Sequence, residues 1–178
     1  MADLGRYRHK VFVEKLGWQL QCEHGLEYDQ FDRDDTIYVL AKNDDDQIIG
    51  TARLLPTSKP YLLGEVFPQL LNGQLPPCSS DIWELSRFAA VDFDSSSTSA
   101  LRQFSSEAAI SLLRQSMETA MRVGARRVIT VSPLGIERLL RRAGFEAARA
   151  GAPMKVDGMS IFANWINPSK NAWRSAEH

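Results

Sequence analysis

Two cysteines, three histidines and no long apolar run set the first limits on this 178-residue chain. Cys22 and Cys78 lie far apart, in neither a C-x-x-C pair nor a Cys/His spacing suited to zinc. Two free thiols in a reducing compartment are therefore expected. His9, His24 and His178 are equally scattered, so no metal site is expected. No segment approaches the ~20 apolar residues that cross a bilayer. Met1-Ala2-Asp3 runs straight into helical spacing with no basic and then apolar leader, which points to a cytoplasmic protein. An excess of one charge is missing too, since 21 Lys and Arg stand against 22 Asp and Glu. That balance argues against a dedicated nucleic-acid binder, which carries a strongly basic face. The remaining composition, 44% hydrophobic, suits one soluble domain with a real core.

Leu4, Tyr7 and Val11 recur at helical spacing and Gly17 offers a stop, so the chain opens with an amphipathic helix. Residues 23–35 are polar, acidic and without period, and read as a long ordered loop. Residues 36–42 and 47–55 read as two strands joined by the turn Asn43-Asp44-Asp45-Asp46. A short helix is expected over 64–71, a loop at Pro76-Pro77 and a buried strand over 82–91. A Ser-rich connection, 92–99, leads into a long helix with Leu101, Phe104, Ala108, Leu112, Ala120 and Val123 inward and Gly124 as its stop. A strand follows over 127–131, then a helix with Ser132 as N-cap and Pro133 at its first position. Its apolar stripe is Ile136, Leu139, Leu140 and Ala143, and Gly144 ends it. Final strands are expected over 145–148 and 159–165. Strands on both sides of a long helix, with no repeat or linker, imply one α/β domain over 1–178, a three-layer α/β/α sandwich around a mixed sheet. The element order resembles the GNAT acyltransferase fold, a likeness of fold that leaves the substrate open.

Charges embedded in apolar strand sequence are the first chemical signal. Arg53 sits in Gly50-Thr51-Ala52-Arg53-Leu54-Leu55-Pro56, and Glu84 and Arg87 sit in Trp83-Glu84-Leu85-Ser86-Arg87-Phe88. Unpaired buried charge is costly, so these groups must meet partners or a ligand. A structural ion-pair cluster, or an edge strand facing water, fits the pattern as well as a site does. Glu84 and Arg87, three apart, point to opposite faces of a regular strand. They share a pocket only across a bulge, which is expected near Leu85-Ser86. A second group is N-terminal: Arg8 and Phe12 on one helical face, then Trp18, Asp29 and Asp32. Taken singly these are core aromatics and solvated loop carboxylates. Together they suit a zwitterionic cation, with carboxylates for an ammonium or sulfonium, aromatic faces for cation–π attraction and an arginine fork for a carboxylate. S-adenosylmethionine carries all three charged groups.

The pattern Arg8-x-x-x-Phe12-x-x-x-x-x-Trp18, then Asp29-x-x-Asp32, Arg53, Phe67 and Glu84-x-x-Arg87 resembles the signature of the acyl-homoserine-lactone synthases, the autoinducer synthases of quorum sensing. The resemblance covers most of the N-terminal two thirds. It implies an enzyme that transfers an acyl chain from acyl-carrier protein to the amine of S-adenosylmethionine, then closes the lactone and releases methylthioadenosine. S-adenosylmethionine is then a substrate, and no cofactor is implied. The resemblance implies catalytic roles for Glu84, Arg87 and Arg53, with Glu84 as general base directly, through a water, or as an electrostatic anchor. It implies an S-adenosylmethionine site of Arg8, Phe12, Trp18, Asp29, Asp32, Phe67 and Arg87. Thr130 and Ser132 would belong to the acyl pocket. Ser132 stands where enzymes for 3-oxo chains often carry Thr, which points to an unsubstituted chain; its N-cap role stays equally open. Arg138, Arg141 and Arg142, opposite the apolar stripe of their helix and with Arg122, Arg126 and Arg127 nearby, read as a solvated face or as a docking surface for an acidic carrier protein. Family members usually carry a segment with a strand ahead of the first helix. Met1 falls almost at that helix, so either a missing N-terminal segment or a short variant of the family is expected.

Two rivals remain. A GNAT-type N-acyltransferase using an acyl-CoA donor usually has a Gly-rich phosphate loop after the cleft strand. Here that stretch reads Asp92-Phe93-Asp94-Ser95-Ser96-Ser97-Thr98-Ser99, without glycine and with aspartates that repel phosphate. A non-catalytic carrier-protein-binding module is the other, disfavoured by the intact Glu84, Arg53 and Arg87.

Overall fold

Leu4, Tyr7 and Val11 wind onto one buried face of α1 (Ala2–Arg8), which continues as a π-helical turn, His9–Lys15. The computed structural model describes residues 1–93, 107–156 and 158–169. Gly17, at φ +70°, turns the chain out of this helix. The acidic stretch that follows is less irregular than its sequence: a small hairpin, β1 (Cys22–Glu23) with β2 (Leu26–Glu27), forms inside it. β3 (Ile37–Lys42) and β4 (Ile48–Pro56) pair across the expected turn. Its Asn43 carboxamide accepts from the N–H groups of Asp45 and Gln47, the local bonding that makes asparagine a turn residue. The short helix is α2 (Leu62–Val66), followed by a 3-10 turn, Pro68–Leu71. Then come β5 (Ile82–Ala90), α3 (Glu107–Arg122), β6 (Arg127–Pro133), α4 (Ile136–Ala143), β7 (Ala147–Arg149), β8 (Met154–Val156) and β9 (Met159–Ile166).

The main sheet runs β3-β4-β5-β6-β9-β7, with β8 also paired to β9. All its pairs are antiparallel except β5 with β6. Helices α3 and α4 cover one face, where Leu54, Leu85, Leu113, Met117, Val128, Leu139 and Phe162 form a closed core. The other face carries α2 and the N-terminal helix, over Phe31, Leu55, Leu63, Ile129 and Ala163 and over Val11, Phe12 and Ala89. The three expected layers are present. The Tyr7 hydroxyl donates to the Val91 carbonyl and accepts from the Val91 N–H, pinning α1 to the end of β5.

Several expectations need correction. Ser132 and Pro133 do not open α4; they end β6, paired with Phe162 and Ile161 of β9, and α4 begins at Ile136 with Gly135 as an N-cap that makes no side-chain bond. Continued pairing along β9 outcompetes the local capping signal. Val123 is exposed rather than inward, because it lies beyond the last residue of α3. β8 was not anticipated. Leu101, Phe104 and the connection from 94 onward lie outside the described residues.

The bulge is real, and sits one to two residues beyond Leu85-Ser86. Arg53 pairs with Ser86 and Thr51 with Ala89, so Ala52 alone opposes Arg87 and Phe88. Arg87 takes φ +48°, a left-handed conformation costing a non-glycine residue roughly 1–2 kcal/mol. Just ahead of it, β5 and β6 part. Their pairing runs from Ile82–Arg127 to Leu85–Thr130 and stops.

Candidate active site

Ser86 shares the Glu84 face of β5 by simple alternation, and the bulge turns Arg87 to that face as well, while Leu85 and Phe88 face the α3 core. Three arginines and three carboxylates meet on that face. The Arg8 Nε donates to Glu27 at 2.5 Å and its Nη1 to Asp32 at 2.7 Å. The Arg87 Nη2 donates to Glu27 at 3.0 Å and to Asp29 at 2.8 Å. The Arg53 Nη1 donates to Asp29 at 2.6 Å and to Asp32 at 3.2 Å, and its Nε to the Ser86 hydroxyl at 3.0 Å. Followed in order, Arg8, Glu27, Arg87, Asp29, Arg53 and Asp32 close a ring in which each charge has two opposite neighbours. Arg8 and Arg53 are 0% exposed and Glu27 is 1% exposed, while Asp29, at 18% side-chain exposure, opens to the cleft. Burial alone would raise the Asp32 carboxyl, but the Arg8 hydrogen bonds and the charges of Arg8 and Arg53 outweigh it and hold it well below the usual range. Glu27 is likewise lowered, with burial opposed by Arg8 and Arg87. The Tyr38 hydroxyl also donates to Asp32.

Glu84 stands apart from this ring. It is 0% exposed, and one carboxylate oxygen accepts from the Leu63 N–H at 2.6 Å. The other oxygen has no hydrogen-bond partner among the described residues. Burial pushes its carboxyl upward, against the smaller opposing pull of the Leu63 N–H and the Arg53 charge. A carboxylate with raised proton affinity is a stronger proton acceptor than an exposed one.

A cleft of about 420 Å³ opens where β5 and β6 separate. Its lining includes the polar Asp29, Ser86 and Arg87, the aromatic Trp18, Phe31 and Phe67, and the apolar Val131, Val156, Met159 and Ile161. Of the residues expected at the site, Trp18, Asp29, Phe67, Arg87 and Ser132 line the cleft. Arg8, Arg53 and Asp32 sit behind it and hold Asp29 and Arg87. Phe12 is not a wall: it stacks under Trp18, centroids 4.9 Å apart, and the Arg87 guanidinium lies over both rings. Glu84 and Thr130 are not among the lining residues, and the Thr130 hydroxyl is 3.0 Å from that of Ser132. Arg138, Arg141 and Arg142 are exposed on α4, where Glu137 pairs with Arg149 at 2.6 Å. Glu27 was missed. Its one signal was position, two residues ahead of Asp29 in the same acidic stretch, and only the β1–β2 hairpin turns it inward.

The model of the autoinducer synthase family matches residues 1–175. This chain belongs to that family. It is 60% identical over 161 residues to an acyl-homoserine-lactone synthase of Acinetobacter nosocomialis, covering 90% of this chain and 88% of that one. The crystal structure of TofI in a ternary complex with an inhibitor and MTA is similar at a TM-score of 0.83 and 45% identity, covering 99% of this chain and 88% of that chain. A CoA-dependent acyl-homoserine lactone synthase, BjaI, with SAM and isopentyl-CoA, reaches a TM-score of 0.83 at 27% identity, covering 98% of this chain and 79% of that chain. This autoinducer synthase is therefore an acyltransferase with the GNAT-like layering expected from its element order. No helix among the described residues is long and apolar enough to cross a membrane.

Proposed function

We propose that the cleft joins an acyl chain to S-adenosylmethionine and closes the product to an acyl-homoserine lactone. The observation that carries this reading is the position of the cleft, where β5 and β6 part, lined both by the Asp29–Arg87 edge of the charge ring and by apolar side chains. Asp29 and Arg87 offer a carboxylate and a guanidinium to the ammonium and carboxylate of the methionyl group, and Trp18 and Phe67 offer aromatic faces to the sulfonium and adenine. Arg8, Arg53 and Asp32 keep that edge in place.

In the first step the neutral amine attacks the thioester carbonyl, the C–N bond forms and the C–S bond breaks. The amine's proton passes by way of Ser86 or a water to Glu84, then to the departing thiolate. In the second step the methionyl carboxylate displaces the sulfonium at Cγ, closing the lactone and releasing methylthioadenosine. That step has its nucleophile and leaving group in one molecule, so positioning supplies most of its acceleration. The scheme consumes S-adenosylmethionine as a substrate and calls on no further cofactor.

For the donor, the exposed Arg138, Arg141 and Arg142 favour acyl-carrier protein, whose acidic surface they complement. The BjaI complex with isopentyl-CoA keeps an acyl-CoA donor as the second reading. Methylthioadenosine release, followed with S-adenosylmethionine and matched acyl-carrier-protein and acyl-CoA thioesters, is expected to be faster by tenfold or more with the carrier protein. Equal or higher efficiency with CoA reverses the donor assignment, and no release with either donor overturns the reaction.

A further inference from the structure

Asp29 has no acceptor capacity left over. A carboxylate offers about four lone-pair sites, and Asp29 already accepts four hydrogen bonds. One oxygen accepts from the Arg53 Nη1 at 2.6 Å and the Phe31 N–H at 2.9 Å, the other from the Arg53 Nη2 at 3.1 Å and the Arg87 Nη2 at 2.8 Å. Arg87 is different. Its Nε and Nη2 donate to Glu27 and Asp29, while its Nη1 makes no hydrogen bond among the described residues. Of the ring's residues only Asp29 and Arg87 line the cleft, so the link between them is the one a ligand can reach. It is also the link most easily opened. A single hydrogen bond makes it. When it opens, Arg87 keeps Glu27, and Asp29 keeps both Arg53 nitrogens and the Phe31 N–H, so neither charge is stranded. A lone ammonium therefore meets an acceptor that is full, and a lone carboxylate finds only the Nη1 edge. A molecule with both charges on one carbon can enter between the pair, carboxylate to Arg87 and ammonium to Asp29, with two charge-assisted bonds in place of one.

We propose that the Arg87–Asp29 bridge is an electrostatic gate, which opens for a substrate carrying ammonium and carboxylate together and re-forms when acylation removes the ammonium. The proposal rests on the acyl-transfer reading of the cleft. Opening frees the Arg87 Nη2, so that Nη1 and Nη2 hold the methionyl carboxylate as a fork. The ammonium gives up one proton to solvent on becoming the attacking amine. A second passes by way of Glu84 to the departing thiolate, as the C–N bond forms and the C–S bond breaks. The amide left behind is neutral and offers Asp29 no charge. Nη2 of Arg87 then returns to Asp29, and Nη1 alone holds the carboxylate. Relieved of one strong donor, the carboxylate is the better nucleophile toward Cγ. Its C–O bond forms there as the bond to the sulfonium breaks and the electron pair stays on sulfur. A ligand shifts an equilibrium of this kind only through its differential affinity for the two states, and the charge on the nitrogen is what changes that affinity. The same charge that admits the substrate thus times the second step.

The first test needs no variant. Titration calorimetry on the full chain compares S-adenosylmethionine with analogues lacking the carboxylate, the amine or both. Either loss alone leaves the bridge closed, so the loss on removing both is expected to fall about tenfold or more short of the product of the single losses. Independent losses overturn the gate. The second test follows free thiol and methylthioadenosine together during turnover of an acyl thioester. The parent protein is expected to release them in step. Asn at position 29 cannot recapture Arg87 as a charge. In Asp29→Asn thiol release is therefore expected to outrun methylthioadenosine severalfold, with acylated S-adenosylmethionine accumulating by mass. Equal loss of both signals in a folded Asp29→Asn protein overturns the re-forming of the bridge. Should that variant fail to fold, the N-acetyl derivative of S-adenosylmethionine is titrated into the parent instead. Its carboxylate is expected to contribute severalfold less to binding than that of S-adenosylmethionine, and an undiminished contribution overturns the same step. Absence of thiol and methylthioadenosine from the parent with every donor overturns the acyl-transfer reading, while the binding comparison still reads the gate, so the two failures are distinguishable.

Discussion

On the face of the sheet that carries the N-terminal helix, three arginines and three carboxylates satisfy one another around a closed ring. A few residues away, one Glu84 oxygen, and on β9 the whole Asn164 carboxamide, has no hydrogen-bond partner among the described residues. Both regions are buried and polar, yet their energetics differ. In the ring the desolvation of each charge is offset by two oppositely charged neighbours, so the ring is a scaffold that fixes Asp29 and Arg87 at the cleft. Glu84 and Asn164 carry an uncompensated cost, the kind of local strain on stability that functional positions tend to hold. Saturation marks the frame, and unused bonding capacity marks where chemistry or recognition is to be sought.

Breaking the frame has the largest expected effect. Arg53→Met leaves Asp29 and Asp32 facing each other without their shared cation. Removing one partner of a buried ion pair costs about 3–5 kcal/mol, a large share of the roughly 5–15 kcal/mol that holds a domain folded. Urea denaturation of the variant is expected to show this loss, whatever substrate is present. A loss below ~1 kcal/mol would mean that the ring is not a frame.

The opposite response is expected at Glu84. Its carboxyl is raised by burial, so the folded state binds its proton more tightly than the unfolded chain does. The stability this gives is present below the ordinary 4.5 and is lost as pH rises through the folded value. Glu84→Gln removes that loss, and its denaturation midpoint at neutral pH is expected to equal or exceed that of the parent. Methylthioadenosine release should meanwhile fall by about 10²–10⁴-fold, the usual contribution of a general base. Glu27 and Asp32 titrate in the other sense. Their carboxyls are lowered, so the ring's contribution is present above the ordinary 4.5 and 3.8 and is lost as pH falls through the folded values. A stability profile of the parent and Glu84→Gln proteins from pH 3 to 8 separates the two: only the neutral limb should differ between them. Wild-type turnover by Glu84→Gln rules out the base role.

The smallest effect is expected far from both regions. The double change Arg138→Glu and Arg142→Glu alters exposed positions on α4 and should leave folding within about 0.5 kcal/mol. The Michaelis constant for an acyl-carrier-protein donor is expected to rise severalfold, and that for an acyl-CoA donor to stay put. Parallel changes for both donors would remove α4 from the docking surface.

Most of the ring was legible before any coordinates, because arginine inside apolar strand sequence, and an aspartate pair beyond a helical Arg and Phe, are unusual enough to ask for partners. Glu27 was not, since a glutamate in an acidic loop is ordinarily solvated and nothing local marks this one as buried. Phe12 was placed at the wall when it is the support beneath Trp18, as one helical face cannot say which aromatic meets the cavity. The bulge was inferred from the spacing of Glu84 and Arg87, but its position depended on how β4 registers against β5. Asn164 gave no signal at all: a single asparagine in a strand pattern reads as an edge residue until the strands on either side of it are known.

The sequence by itself determined the elements and the chemical inventory, since hydrophobic period, turn residues and the charges that must be neutralised are local properties of the chain. Tertiary structure alone decided which charges close into a ring, where β5 and β6 part, and which polar groups are left without partners. Those outcomes depend on contacts between strands and loops distant in sequence, such as Arg87 with Glu27 and Thr130 with Asn164. Hydrogen bonds act over about 3 Å, so no pattern along the chain reports them until folding has brought their partners together.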